Sequence, residues 1–151
     1  MATEAPGEET AFAFVPSRIV IYALLFLAVT IVFAQTIRFD FINYDDGEYF
    51  TENQHVLSPF TWRSVKWAFT TGHFNNWHPL TWLSHKLDYN LFGMNAAGPH
   101  AVNTLLHLAN SILLFEALYR LCRIRRKDAL WCSGIVALLF AIHPLHVESV
   151  A

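Results

Sequence analysis

Hydrophobic positions along the chain fall into three blocks, and a long polar and aromatic stretch separates the first from the second. The first block, residues 19–37, reads IVIYALLFLAVTIVFAQTI and carries no charge. At about 1.5 Å per residue it reaches roughly 28 Å as a helix, close to the ~30 Å of a hydrocarbon core. A buried soluble helix and a signal peptide are the rival readings. The run outlasts the ~7–15 apolar residues of a signal peptide, and its flank QTIRFDF lacks a small-residue cleavage pattern, so an uncleaved transmembrane helix is expected. Residues 99–119 (PHAVNTLLHLANSILLFEALY) and 129–147 (ALWCSGIVALLFAIHPLHV) are the second and third crossings, the third apolar to Ile142 before it meets His143 and Pro144.

The stretch between the first two crossings, residues 38–98, is too long for a featureless connection. Its pattern predicts two short helices, near 59–71 and 79–92. Ser58 and Pro59 suit the start of the first, and Gly72 its end. Trp62, Val65 and Phe69 share one face, while Arg63, Lys66 and Thr70 share another. In the second, Pro79 suits the first turn, Gly93 the stop, and Leu80, Leu83, Leu87 and Leu91 form one stripe. Four of the five tryptophans (Trp62, Trp67, Trp77 and Trp82) lie here, which suits helices lying at headgroup depth. The expected class is therefore an α-helical polytopic membrane protein, or its N-terminal portion. About three transmembrane helices are expected, with two interfacial helices in a long first outer loop. The composition agrees, at 54% hydrophobic and 15% charged residues.

Charge then sets the topology. Arg120, Arg123, Arg125, Arg126 and Lys127 crowd the turn at 120–128, which marks it as cytoplasmic. The tail at 1–18 shares that side. Glu4, Glu8 and Glu9 there have little weight in the rule, and Arg18 agrees with it. The 38–98 loop and the outer segment starting at 148 then face the periplasm or an endoplasmic-reticulum lumen. Cys122 and Cys132 lie at the cytoplasmic side, so no external disulfide forms within the chain. The expected location is a bacterial inner membrane, or the endoplasmic reticulum membrane in a eukaryote.

This topology puts NYDDGEYFTENQHV (residues 43–56) on the same side as HPLHVES (residues 143–149). Asp45 and Asp46 stand at the membrane surface, where a carboxylate can take a proton from an attacking hydroxyl. A neighbouring carboxylate can raise its pKa or help hold a divalent cation. Equally, YDDGEY can be a solvated acidic turn with Gly47 at the bend. His143, His146 and Glu148 are candidate partners, and Arg63 and Lys66 are candidate contacts for a lipid phosphate or an acceptor. Within the second crossing, Asn103, His107 and Asn110 form a polar stripe that suits interhelical hydrogen bonding or a cavity wall. Glu116 can reach Arg120 one turn on.

Taken in order, FINYDDGEYFTENQHV, WAFTTGHFNNWHPLTWLSHKLDYNLFG, PHAVNTLLHLANSILLF and ALLFAIHPLHVESVA resemble the N-terminal part of GT-C superfamily membrane glycosyltransferases. The likeness is to the polytopic proteins with a C-terminal tetratricopeptide array, related to the transmembrane O-mannosyltransferases that act on cadherins. It covers roughly residues 39–151. The resemblance implies inverting transfer of a sugar from a polyprenyl-phosphate donor to a protein or glycan hydroxyl. It also implies Asp45 or Asp46 as base and His143, His146 and Glu148 as wall residues. The chain stops at Ala151 with no 34-residue repeat, so it reads as a fragment, inactive by itself. The expected partners are the lipid bilayer, the lipid-linked sugar and the acceptor, with no nucleic acid. A non-catalytic membrane component and a transporter segment binding a cation at Asp45 and Asp46 are the alternatives.

Overall fold

The structure is a computed structural model and describes residues 17–42, 44–125 and 127–150. The acidic tail residues Glu4, Glu8 and Glu9, together with Asn43, Arg126 and Ala151, lie outside the described residues. Helix α1 spans Arg18–Phe33 and continues as a tighter 3₁₀ turn to Arg38. Ile21, Leu25, Val29 and Phe33, four residues apart, make its buried stripe. The rest of its apolar surface, including Ile19, Phe26 and Ile31, faces outward. An all-round apolar helix with one buried stripe suits a bilayer rather than water.

Short helices α2 (Trp62–Thr70) and α3 (Pro79–Phe92) follow, then the long helix α4 (Ala97–Cys122) and α5 (Ala129–Ala141). A 3₁₀ turn at Pro144–His146 leads into a last short helix, α6 (Val147–Val150). Helices α1, α4 and α5 pack on one another around Ile21, Leu25, Val29, Phe33, Phe115, Ala137 and Ala141. Small residues on α5 allow the close approach: a Cβ at Gly134 would lie 2.9 Å from Ile21 Cδ1. At the end of the bundle away from the outer segment, Tyr22 Oη donates to Glu116 at 2.6 Å. Arg18 and Arg120 pair with the same carboxylate at 3.5 and 3.3 Å. Glu116 thus ties α1 to α4 as well as reaching Arg120.

Among the described residues, two helices are long and apolar enough to cross a membrane, α1 with its 3₁₀ extension and α4. A third crossing arises if α5 and the Pro144–Val150 segment are taken as one span, bent by 51°. The break has a chemical cause. Pro144 has no N–H, so the α-helical ladder cannot continue to the Phe140 carbonyl, which accepts instead from His143 N at 3.2 Å. Leu145 N–H turns to His143 Nδ1, leaving the Ala141 carbonyl without its helical donor. His107 of α4 supplies that donor, with Nε2 2.9 Å from the Ala141 oxygen. Because a carbonyl only accepts, Nε2 carries the proton. Of the polar stripe on α4, His107 therefore makes the interhelical bond, whereas Asn110 is exposed.

The outer segment keeps Trp62 and most of the leucine stripe on the surface and turns other faces inward. Helix α2 starts at Trp62, not Pro59, because Thr61 and Ser64 form a reciprocal capping box. Ser58 instead accepts from Lys86. Ser64 and Ala68 form the buried face of α2, whereas Trp62 is 81% exposed. Helix α3 is turned likewise: Trp82 and Lys86 are buried, while Leu80, Leu87 and Leu91 face out. Pro79 does open α3, and Gly93 ends it with φ of 64°. The core of this segment is Phe50, Val56, Ala68 and Trp82, with Tyr49 stacked on Trp82 at 5.0 Å. Replacing His107 by Leu keeps the volume and removes the donor to Ala141. We expect a loss of about 1–3 kcal/mol in stability, read by unfolding in detergent. Unchanged stability would rule out the capping role.

Candidate functional site

The acidic stretch is an ordered turn. Ile42 N–H donates to Asp46 Oδ2 at 2.7 Å, holding one carboxylate oxygen in place. The backbone then winds into a single π-helical turn, Gly47–Thr51, closed by Glu52 N–H to the Gly47 carbonyl at 2.8 Å. Gly47 is thus part of a helical turn, and Gly93 is the one described glycine with positive φ. This turn presents Asp45 and Asp46 to a cavity that Phe50, otherwise buried in the outer core, also lines. Asn53 secures the exit, donating to the Glu48 carbonyl at 3.3 Å and accepting from His55 N–H at 3.0 Å.

Asp45 and Asp46 line an inner cavity of about 480 Å³ with Tyr49, Thr81, His85, His100, Asn103 and Glu148 among its walls. An adjoining outer cavity of about 860 Å³ shares Asp45, Asp46, His100 and Glu148, and adds Arg38, Asp40 and the exposed side chains Phe39, Ile42 and Tyr44. A third cavity, about 370 Å³, lies further along α4 between Asn103, His107, Asn110 and His146. Asn103 and Ser149 line both it and the inner cavity.

The residues singled out from the sequence therefore divide. Asp45, Asp46 and Glu148 line the same two cavities, although they come from opposite ends of the chain. His146 lines the third cavity, its ring tilted against Phe140 at 4.4 Å and His107 at 5.0 Å. His143 is exposed and caps the turn at Pro144. Arg63 and Lys66 are exposed on α2 and line none of these cavities. Asn103, on the polar stripe expected to bond between helices or wall a cavity, does line two cavities, whereas Arg38, His85, His100 and Thr81 were not anticipated as lining residues. Arg38 directly follows the first apolar block. Thr81 and His85 lie off the leucine stripe of α3. Among the described residues, no three His, Cys, Asp or Glu side chains are gathered closely enough to hold a metal ion.

The scaffold beneath the site is polar as well as aromatic. Lys86, 2% exposed, donates from Nζ to the His55 and Ser58 carbonyls at 2.6 Å each and to Ser58 Oγ at 2.9 Å. His55 stacks on Trp67 at 4.3 Å. Gly98 carries no side chain because a Cβ there would overlap Phe92, so the end of α3 and the start of α4 are in close contact. Burial pushes the His85 imidazole below its ordinary range, against a smaller opposing effect of Asp46. His55 is lowered mainly by burial, with His73 and Lys86 adding to it.

With the geometry in hand, the chain can be set beside known proteins. It is 31% identical over 127 residues to the protein O-mannosyl-transferase TMTC2 of Homo sapiens, covering 80% of this chain and 14% of that protein. It is 33% identical over 138 residues to the human protein O-mannosyl-transferase TMTC4, covering 80% of this chain and 18% of that protein. The protein O-mannosyl-transferase Tmtc1 of Drosophila melanogaster is 37% identical over 83 residues, covering 54% of this chain and 9% of the fly protein. The chain is a distant homologue of the protein O-mannosyl-transferases. The homology supports a link to GT-C-like membrane glycosyltransferases, and the chain spans less than a fifth of the length of these relatives. No family model matches the chain, and no solved structure does.

The depressed histidines generate a pH prediction. A histidine held neutral in the fold takes up fewer protons than the unfolded chain, so its contribution is complete above the unfolded pKa of about 6.5. That contribution is lost progressively as pH falls from this value through the lower folded-state pKa. The outer segment should therefore loosen between about pH 7 and pH 5, read as faster amide exchange at Tyr49–Val56 and in α3. Exchange protection that stays flat across this window, once corrected for intrinsic rates, would contradict it.

Proposed function

We propose that the chain carries the acceptor-activating part of a membrane glycosyl-transfer site. The single observation behind this reading is the convergence of Asp45, Asp46 and Glu148 on one cavity beside apolar helices. The donor is a polyprenyl-phosphate-linked sugar, for which mannose follows from the relatives' names, and the acceptor is a hydroxyl such as a protein Ser or Thr. The acceptor oxygen attacks the anomeric carbon as the bond to the phosphate oxygen breaks, and configuration inverts. The phosphate leaves with the bonding pair, and a carboxylate takes the acceptor proton. Asp46 fits the base role better than Asp45, because Ile42 N–H fixes its carboxylate while one oxygen is left to accept. Asp45 and Glu148 then orient the acceptor or assist a divalent cation.

In this reading the cavities face the periplasm or lumen, and the basic end of α4 faces the cytoplasm. The outward leucines of α3 and the exposed Trp62 and Trp77 rest at headgroup depth. Brominated lipids should quench tryptophan emission most strongly when the bromines lie near the interface. Equal quenching at every depth would contradict the placement.

The transfer reading is tested by Asp46→Asn and Asp45→Asn in the intact parent enzyme, reconstituted with a polyprenyl-phosphate-linked mannose and a Ser/Thr peptide. Asp46→Asn should lower transfer by about 10²–10⁴-fold with membrane insertion intact, the span of general-base contributions. Wild-type rates in both variants would refute the carboxylate base.

A further inference from the structure

The inner cavity contains two imidazoles with unmet hydrogen-bonding groups. His100, on the first turns of α4, is 8% exposed, and among the described residues neither of its ring nitrogens meets a partner. His85 Nδ1, on α3, is likewise buried without one. Buried polar atoms are nearly always satisfied, so an orphaned pair around one cavity calls for an explanation. Asn103 lies three residues beyond His100 on α4 and lines the same cavity.

The chemistry of these groups narrows what can satisfy them. A neutral imidazole presents one donor and one acceptor, and a carboxamide presents both kinds as well. Burial favours the neutral form of His85. The phosphodiester of a lipid-linked sugar only accepts, so it would leave the imidazole acceptors unmet. A hydroxyl both donates and accepts, and neighbouring hydroxyls on a ring can satisfy several such groups together. Asp45, Asp46 and Glu148 add further acceptors for O–H donors, and Phe41 and Phe50 give apolar surface for a ring's C–H face. No Lys or Arg is among the residues lining this cavity, whereas Arg38 lines the outer one beside exposed Phe39, Ile42 and Tyr44.

We propose that the inner cavity is a seat for a neutral polyhydroxylated ring, the glycosyl group itself, with His100 and Asn103 of α4 reading its hydroxyls. His85 completes the seat from α3. The outer cavity then takes the charged and apolar remainder of the donor, with Arg38 toward the phosphate and the exposed aromatics toward the prenyl chain. This assignment rests on the glycosyl-transfer reading and makes His100 a specificity residue, not a proton carrier.

The test measures binding, not turnover, with the full chain in lipid nanodiscs. The probes are citronellyl-phosphoryl-mannose, citronellyl phosphate and inorganic phosphate. The wild type should bind the sugar-bearing probe more tightly than citronellyl phosphate, by about tenfold for one to two net hydrogen bonds. His100→Phe should erase that gap while leaving citronellyl phosphate affinity within about twofold, and His100→Gln, which keeps a donor and an acceptor, should preserve most of it. Circular dichroism checks the fold. If the Phe variant fails to fold, Asn103→Leu against His100→Gln carries the same comparison, with the gap narrowed only in the former. Equal weakening of both citronellyl probes would move His100 to the phosphate and overturn the assignment. A wild-type chain without a gap, or binding inorganic phosphate as well as the sugar-bearing probe, would also overturn it. Full transfer by Asp46→Asn would remove the base without touching this gap, so the two readings fail separately.

Discussion

The Ala141 carbonyl is the point on which the geometry of the site depends. Inside a bilayer an unmet peptide carbonyl costs several kcal/mol, so a helix broken by Pro144 needs a donor from elsewhere. His107 of α4 provides it. That bond fixes the spacing of α4 and α5 at the break and lets the chain after Pro144 turn by 51°. The turn carries Glu148 and Ser149 across to the wall of the cavity that holds Asp45 and Asp46. A straight continuation of α5 would have carried them away from it.

The outer segment depends on a different polar contact. Lys86 is buried among apolar and aromatic side chains, and three oxygens from the His55–Ser58 turn surround its ammonium. Burial lowers its affinity for a proton, yet the three acceptors match the three donors of the charged form. The contact clips the strand of chain leaving the acidic turn onto α3. Since α3 also supplies Thr81 and His85 to the inner cavity, Lys86 indirectly sets the distance between that wall and the carboxylates.

The apolar runs of α1 and α4 were legible because composition and length alone decide membrane crossing. The caps at Pro79 and Gly93 were legible because their backbone chemistry is local. The two outer helices were legible from caps and periodicity, but the residues forming their inward faces were not. Leucine periodicity identifies an apolar face without saying whether protein or lipid covers it, so Trp82 and Lys86 took the inside. Asp45, Asp46 and Glu148 could be placed on one side from charge topology. Which histidines join them could not, because that depends on the break at Pro144 and on the depth of α4. His100 and His85 lay in plain stretches of sequence, GPHAVN and WLSHKL, where nothing local distinguishes a cavity wall from a packed helix.

The contact of Gly98 with Phe92 has a mechanical meaning. It makes the junction of α3 and α4 a rigid elbow, with Thr81 and His85 on one arm and His100 and Asn103 on the other. The segment Phe39–Ile42, without regular secondary structure, runs from the 3₁₀ end of α1 to the acidic turn and makes the remaining wall. The chamber is thus asymmetric: packed helices carry its polar groups on one side, and a non-helical stretch carries the aromatic and apolar side chains Phe39, Phe41 and Ile42 on the other.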